Sequence, residues 1–337
     1  MSRGARIADV ARLAEVSVPT VSRVLNGSSG VRPETVARVM RAVKELDYRP
    51  KGVARTLISG SRSMIAVMAS HLNRYGYAEV LAGIERAARD NDYAVTVCVI
   101  DPMIGPGDGD MEGSIRRALS QEIAGVIVID FDAQGERVIG RMPSSVPMIG
   151  VTGFDGRPGH VPYAVMDEHS GGRLVTEHLL DLGHDTVHHV TEPPFGRPSG
   201  RTAGWRAALE ARGIEPPPTW AATFDPRSGY ELGLELAHRD DVTAVFCATD
   251  VVAAAVLRAF RDAGVALPGG KSVAGFDDQP FSRFLSPALT TVEQDFQRLG
   301  WLAFRQLLHL RDGQSQPPDL VVRPALVVRE SSARPHL

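Results

Sequence analysis

Ile7 to Asn26 reads I-A-D-V-A-R-L-A-E-V-S-V-P-T-V-S-R-V-L-N. Two apolar-periodic segments flank a tight break at Ala14-Glu15-Val16-Ser17. In the first, Ile7, Val10, Ala11 and Leu13/Ala14 recur at helical spacing, and in the second Val21, Val24 and Leu25 do the same, so each segment has one face to bury. Ser17 suits an N-cap, and Pro19 falls in the first turn, where its missing N–H leaves no bond unmade. A helix begun at Ser17 turns Val18, Pro19, Ser22 and Arg23 away from its own core. Two short helices joined so tightly have the shape of a helix-turn-helix, whose second helix enters a DNA major groove N-terminus first. A helical hairpin that merely packs on something is the plainer alternative. A third amphipathic helix follows the Gly27–Gly30 turn, with Pro33 near its start and Val36, Val39, Met40, Val43 and Leu46 as its apolar stripe.

Three motifs at fixed spacing resemble the LacI/GalR family of transcriptional repressors: D-V-A-R-L-A-x-V-S-x-x-T-V-S-R-V-L-N, V-x-x-x-T-x-x-R-V, and E-L-x-Y-x-P followed by A-R-x-L. There are departures. Glu15 stands where the family's turn usually has Gly, Lys51 where Asn is usual, and Val36 where Arg is common. The resemblance implies that Ser17, Val18, Pro19, Thr20, Ser22, Arg23 and Asn26 face operator DNA. It also makes Lys51, Ala54, Arg55 and Leu57 part of a hinge helix, with Leu57 prying open a central minor-groove step. Without the resemblance, 51–61 reads equally as a short basic linker.

Charge supports the division. Residues 1–62 carry twelve Lys/Arg against five Asp/Glu, whereas the whole chain has a net charge of −3. A basic head on an acidic body fits phosphate contact, although basic heads are often only solvated surface. Cys98 and Cys247 each sit in an apolar, β-branched run, which reads as buried free thiols in a reducing cytoplasm. No signal-type N-terminal segment and no membrane-spanning run is present in the sequence.

From 62 onward strands and helices alternate. Strands are expected at 63–69, 94–100, 125–129, 146–151, 164–167, 187–190, 244–249 and 271–276, with helices at 78–91, 113–121, 169–182, 204–212, 229–239 and up to Ala263. This rhythm predicts parallel sheets with helices on both faces. The fold class is therefore α plus α/β: a three-helix helix-turn-helix head (1–50), a hinge (51–61), and a two-subdomain, periplasmic-binding-protein-like effector domain (62–337). The first subdomain is expected at about 62–162 and 294–322, the second at about 163–293 and 323–337. By resemblance, the chain crosses three times between them. The stretch after Ser331 has no leucine heptad, so a dimer is expected, without a tetramer-forming coil.

Ligands in open α/β sheets bind beyond the carboxyl ends of the strands. That rule selects Ser70, Tyr75, Tyr77, Thr249 and Asp250. The resemblance adds Arg201 as an effector anchor, Asp277 as an acceptor of effector hydroxyls or amines, and Phe224 as a stacking ring. Arg201 and Asp277 read alternatively as an ion pair that caps helices, and Asp250 as an N-cap; Asp167 and Asp278 are assigned to capping and structure. Gly264–Ser272 lacks the first Gly of a phosphate loop, because Val265 holds that position. Met103–Asp110 lacks a calcium loop's closing Glu. His188 and His189 point to opposite faces of a strand, which argues against zinc with His184. No nucleophile–base set converges, so an enzyme is not expected, and no cofactor or metal is called for. The reading is a cytoplasmic, homodimeric regulator, a repressor, of near-palindromic double-stranded operator DNA. A small molecule, by default a sugar, sets its affinity, with no membrane involved. A co-repressed regulator like the purine repressor, and a solute-binding protein that does not bind DNA, are the alternatives.

Overall fold

The computed structural model describes residues 6–25, 31–46, 48, 64–100, 109–153, 161–192, 199–223, 225–313 and 318–335. Two compact units result, 1–63 and 64–337. Asn26, Lys51, Ala54, Arg55, Leu57 and Phe224 lie outside the described residues.

The first unit holds α1 (Ile7–Leu13), α2 (Val18–Leu25) and α3 (Pro33–Glu45). Their shared core is Val10, Ala11, Ala14, Val21, Val39, Ala42 and Tyr48. Ser17 begins α2 as expected: its hydroxyl accepts from the Thr20 N–H at 3.3 Å. In the turn, Glu15 adopts φ 51°, so the departure from Gly is strained. One expected core residue faces outward instead: Met40 is 50% exposed, while Ala42 is buried. Of the Leu13/Ala14 pair it is Ala14 that is buried. The expected α3 stripe otherwise holds at Val39, which is in the core, and at Val43 and Leu46, which pack against it; Tyr48, arriving after the helix, joins the same cluster.

In the second unit a six-stranded sheet runs in the order β11-β5-β4-β3-β1-β2. The strands are β1 (Met64–Ala69), β2 (Ala94–Val99), β3 (Val126–Ile129), β4 (Met148–Thr152), β5 (Tyr163–Met166) and β11 (Leu320–Val322), and every neighbouring pair is parallel. Central strands are apolar on both faces, as a sheet covered on both sides requires. One face packs on α4 (Tyr75–Asp90) and α11 (Phe296–Arg311), the other on α5 (Gly109–Leu119) and α6 (Ala133–Arg141). A Cβ on Gly83 would lie 2.1 Å from the Gln297 carbonyl, and one on Gly300 2.1 Å from that of Val80, so α4 and α11 touch backbone to backbone.

A four-stranded parallel sheet, β7-β6-β8-β9, forms the other half: β6 (His188–Thr191), β7 (Trp220–Ala221), β8 (Ala244–Cys247) and β9 (Ser272–Ala274). It carries α7 (Glu168–Asp181), α8 (Gly200–Ala211), α9 (Pro226–Ala237) and α10 (Asp250–Asp262). The short antiparallel pair β10 (Thr291–Glu293) and β12 (Ala325–Val327) brings the last crossings together.

One boundary differs from expectation. Tyr163–Met166 was assigned to the second subdomain, yet β5 pairs with β4 and β11 inside the first sheet. Pro162 does not open a new half; its carbonyl accepts from the Gly150 N–H at 3.0 Å, continuing the first ladder. The sequence reading also left out α6. Its apolar face is interrupted by Gly135, which is required because a Cβ there would meet the Asp130 Cα at 2.5 Å. Among the described residues, no helix is long and apolar enough to cross a membrane.

The strain at Glu15 yields a test. A left-handed conformation costs a non-glycine residue about 1 kcal/mol, partly offset by glycine's greater freedom in the unfolded chain. Glu15→Gly is expected to slow hydrogen exchange of the α1 and α2 amides in the full chain by up to about fivefold, and Glu15→Val to accelerate it.

Candidate functional site

Within the second unit, the carboxyl ends of both sheets face a common cavity of about 1010 Å³. One wall is charged, and its architecture begins with two glycines. A Cβ on Gly172 of α7 would lie 2.1 Å from the Arg201 carbonyl, and one on Gly204 of α8 2.0 Å from that of His169. The two helices therefore approach closely enough to set Arg201, in the first turn of α8, against Glu168, in the first turn of α7. Arg201 Nε and Nη2 both donate to Glu168 Oε1, at 3.0 and 2.8 Å. Nη2 also pairs with Asp277 Oδ1 at 3.1 Å, and Nη1 donates to the Ala248 carbonyl at 2.5 Å. The guanidinium lies 4.3 Å over the ring of Phe276. Burial alone would discourage its charge, but Asp277, Glu168 and Glu192 outweigh that and hold its pKa above the ordinary value.

Asp277 follows β9 with φ 104°, and Asp278 follows it with φ 45°. Two successive left-handed non-glycine residues are costly, and such strain concentrates at binding sites. Gln294 donates to Asp277 Oδ1 at 3.0 Å. Burial pushes the Asp277 carboxyl up to about 8, against the pull of Arg201 and with Asp250 and Glu192 adding to the rise. Asp278 pairs with Arg329 at 2.7 Å, in keeping with the structural role expected of it.

The opposite wall is aromatic. Tyr75, Tyr77, Phe131 and Phe296 line it and meet edge to face, with centroids 5.2 to 6.2 Å apart. Burial, with help from Glu79 and Asp277, raises the Tyr75 phenol to about 12.

Of the expected effector residues, Tyr75, Tyr77, Arg201, Thr249 and Asp277 line the cavity. Ser70 and Asp250 do not. Ser70 is buried behind Tyr77, where its hydroxyl donates to Asp132, and Tyr77 Oη donates to the same carboxylate at 2.9 Å. Asp250 neither caps α10 nor reaches the cleft. Thr249 caps that helix, accepting from Val252 N, while Asp250 accepts from Gln279 N, Ser282 Oγ and Thr291 Oγ1 at 2.5 to 2.7 Å. Sequence reasoning missed Glu168, Glu192, Phe131 and Phe296. Phe131 and Glu192 carried the signal already used elsewhere, a residue just past a strand's carboxyl end. His189 is stacked on Phe246 with centroids 4.5 Å apart and bonded to Thr202 at 3.0 Å; burial pushes it down to about 4.

In the first unit, Val18, Pro19 and Arg23 are exposed along α2 and Ser22 is half-buried. Thr20 is also half-buried, its hydroxyl 2.8 Å from that of Ser17. This leaves an uninterrupted outward face at the helix's N-terminal end.

Two stability outcomes follow from the charged wall. Arg201→Ala strands buried carboxylates, and losing one partner of a buried pair costs about 3–5 kcal/mol; the melting temperature of the second unit should fall sharply. Asp277 holds a proton in the folded protein that the unfolded chain, with an Asp pKa near 3.9, gives up at much lower pH. Its contribution is therefore full below about pH 4 and lost as pH rises to about 8. In melting curves from pH 4 to 8, Asp277→Asn should flatten the part of the decline due to this group.

The family model for bacterial regulatory proteins, lacI family, matches residues 6–51, and a periplasmic binding protein-like domain matches 176–332. The ribose operon repressor of Haemophilus influenzae is 31% identical, over 97% of this chain and 98% of its own length. The transcriptional repressor PurR of Yersinia enterocolitica is 30% identical, over 98% of this chain and 97% of its own. Among solved structures, the Lac repressor bound to ONPG in its repressed state has a TM-score of 0.87 at 29% identity, covering 98% of this chain and 100% of that one. A complex of the regulator CelR with cellobiose gives 0.71 at 30% identity, covering 97% and 99%. These relatives are transcriptional regulators rather than enzymes. An exposed recognition helix, a second unit of two parallel sheets around a cleft, and full-length similarity of this degree agree: the chain belongs to the lacI family of bacterial regulatory proteins.

Proposed function

We propose that this chain is a cytoplasmic repressor that binds a near-palindromic operator as a homodimer and releases or tightens on it according to a small molecule in the cleft. The observation that carries the reading is the union, in one chain, of the outward-facing α2 helix with a strand-end cavity built around Arg201 and Asp277. Two-fold operators mirror two-fold proteins, one recognition helix per half-site. In this reading Ser17, Val18, Pro19, Thr20, Ser22, Arg23 and Asn26 contact the major groove, and Lys51, Ala54, Arg55 and Leu57 serve the hinge. Val18 and Pro19 offer no side-chain donors and meet thymine methyls, whereas Arg23 carries the forked donor that suits guanine.

A sugar-sized polar molecule is the effector class supported by relatives named for ribose and solved with cellobiose. Tyr75, Tyr77, Arg201, Thr249 and Asp277 are its contacts, with Phe224 as an added stacking ring; Ser70 supports them through Tyr77, and Asp250 supports the loop that carries Asp277. Effector control requires unequal binding to two arrangements of the protein. A cleft that draws on both subdomains supplies that inequality, since its ligand favours one closure angle.

Selection of binding sites from random DNA by the purified protein tests the regulatory reading. Two-fold symmetric sites are expected, and Arg23→Ala should cost about 1–3 kcal/mol and relax one base position per half-site. Uniform weakening across all site variants would reassign Arg23 to phosphate contact. Failure to enrich any symmetric site would remove the proposal.

A further inference from the structure

The turn after β9 needs more than the cleft to hold it. A side chain rarely sits at φ 104° or 45°, and Asp277 and Asp278 do so in succession. On the cleft side, Arg201 pairs with Asp277 and the Gln294 amide donates to it. Beyond the turn, the Gln279 N–H donates to Asp250. On the far side the anchor comes from the last segment of the chain. Arg329 Nη2 pairs with Asp278 Oδ1 at 2.7 Å, and the two side chains are only 15% and 10% exposed.

Arg329 is seated by contacts of its own. Nη1 donates to the Leu289 carbonyl at 2.8 Å, and its backbone N–H donates to Thr290 Oγ1 at 2.9 Å. The same hydroxyl donates back to the Arg329 carbonyl at 3.2 Å. Two residues on, Ser331 is laced to β9. The Val273 N–H donates to the Ser331 carbonyl at 2.8 Å, and the Ser331 hydroxyl donates to the Val273 carbonyl at 2.6 Å. Arg329 is not one of the residues that line the cavity, yet it holds the turn that carries Asp277 into the cavity wall. Both outer anchors also lie on segments that pass between the two halves. Gln294 joins β10 to α11, and Arg329 closely follows β12, which comes from β11 of the first sheet.

Building on the cleft reading proposed above, we infer that Arg329 is a positioning residue for the effector: from outside the cavity it holds Asp278, so that Asp277 stays seated on Arg201. Without Arg329, Asp278 is a largely buried charge that has lost its cation, and a turn in that state relaxes towards water. Asp277 adjoins it along the backbone and moves with it. Effector affinity then depends on a side chain that the effector does not touch.

Hydrogen exchange of the full chain, read by mass spectrometry without ligand, tests this. In Arg329→Ala the amides of Asp277 and Gln279 should exchange roughly tenfold faster while those of β6 and β8 do not change, because the opening is local. Adding Asp278→Asn removes the stranded charge and should return the turn to within about threefold of wild type. Arg329→Lys keeps the charge but loses the fork. It should fall between wild type and Arg329→Ala, and it serves where Arg329→Ala does not fold. An unchanged turn, an equal acceleration in β6 and β8, or no recovery in the double variant overturns the inference. Calorimetric titration with ribose and cellobiose separates it from the cleft reading. A sugar that binds the wild type should lose roughly tenfold in affinity in Arg329→Ala. A turn that loosens while sugar affinity holds keeps the anchor and removes Asp277, and Arg329 with it, from effector binding.

Discussion

The guanidinium of Arg201 is the constraint around which the second unit's cleft is built. A charge taken out of water is tolerated only when it is paired and its donors are satisfied. Here the partners come from the start of α7, the end of β8 and the turn after β9. Those segments are far apart in sequence, and the ion fixes all three at once. The left-handed turn at Asp277 and Asp278 is held at its far side by Arg329 from the last segment of the chain. Strain in that turn persists because both carboxylates are anchored.

The same principle recurs at smaller scale on the other wall. Asp132 caps α6 through the Gln134 and Gly135 amides and at the same time receives the hydroxyls of Ser70 and Tyr77. One buried carboxylate thereby ties the end of β1 and the start of α4 to α6. Tyr77 presents its ring to the cavity because its hydroxyl is held from behind.

Local features were legible in the chain and non-local ones were not. Ser17, Pro19 and the apolar spacing of Val10, Ala11 and Val21 determine the first two helices within a few residues, and that part reads directly. Met40 shares helical spacing with Val39 and Val43 yet is exposed, because spacing alone does not say where the edge of the buried face falls; the cluster is completed by Tyr48 from outside the helix. Strand β5 is expected in the wrong half because one of its two partners, β11, pairs with it from 156 residues away (Val322 with Met166), a contact that no local pattern reveals. Strand-end logic found Tyr75, Tyr77 and Thr249, since it depends only on where a strand stops. It misjudged Ser70 and Asp250, because the direction of a side chain past the strand is set by tertiary partners. Glu168 escaped notice for the same reason: its seat beside Arg201 exists only because α7 and α8 meet at Gly172 and Gly204.

That backbone contact between α7 and α8 has a consequence for how the cleft discriminates. Glu168 and Arg201 ride on one rigid pair of helices, whereas Tyr75, Tyr77, Phe131 and Phe296 belong to the other sheet's layer. Charge pattern and aromatic surface are thus held on separate bodies, and each is complete by itself. Under the effector control proposed above, a molecule that satisfies one body alone would gain the same energy at any closure angle and so would not choose between arrangements. Only a molecule long enough to engage both would convert binding into a preference. A cleft divided in this way would act as a coincidence detector, with fragments of a full ligand as silent competitors rather than weak signals.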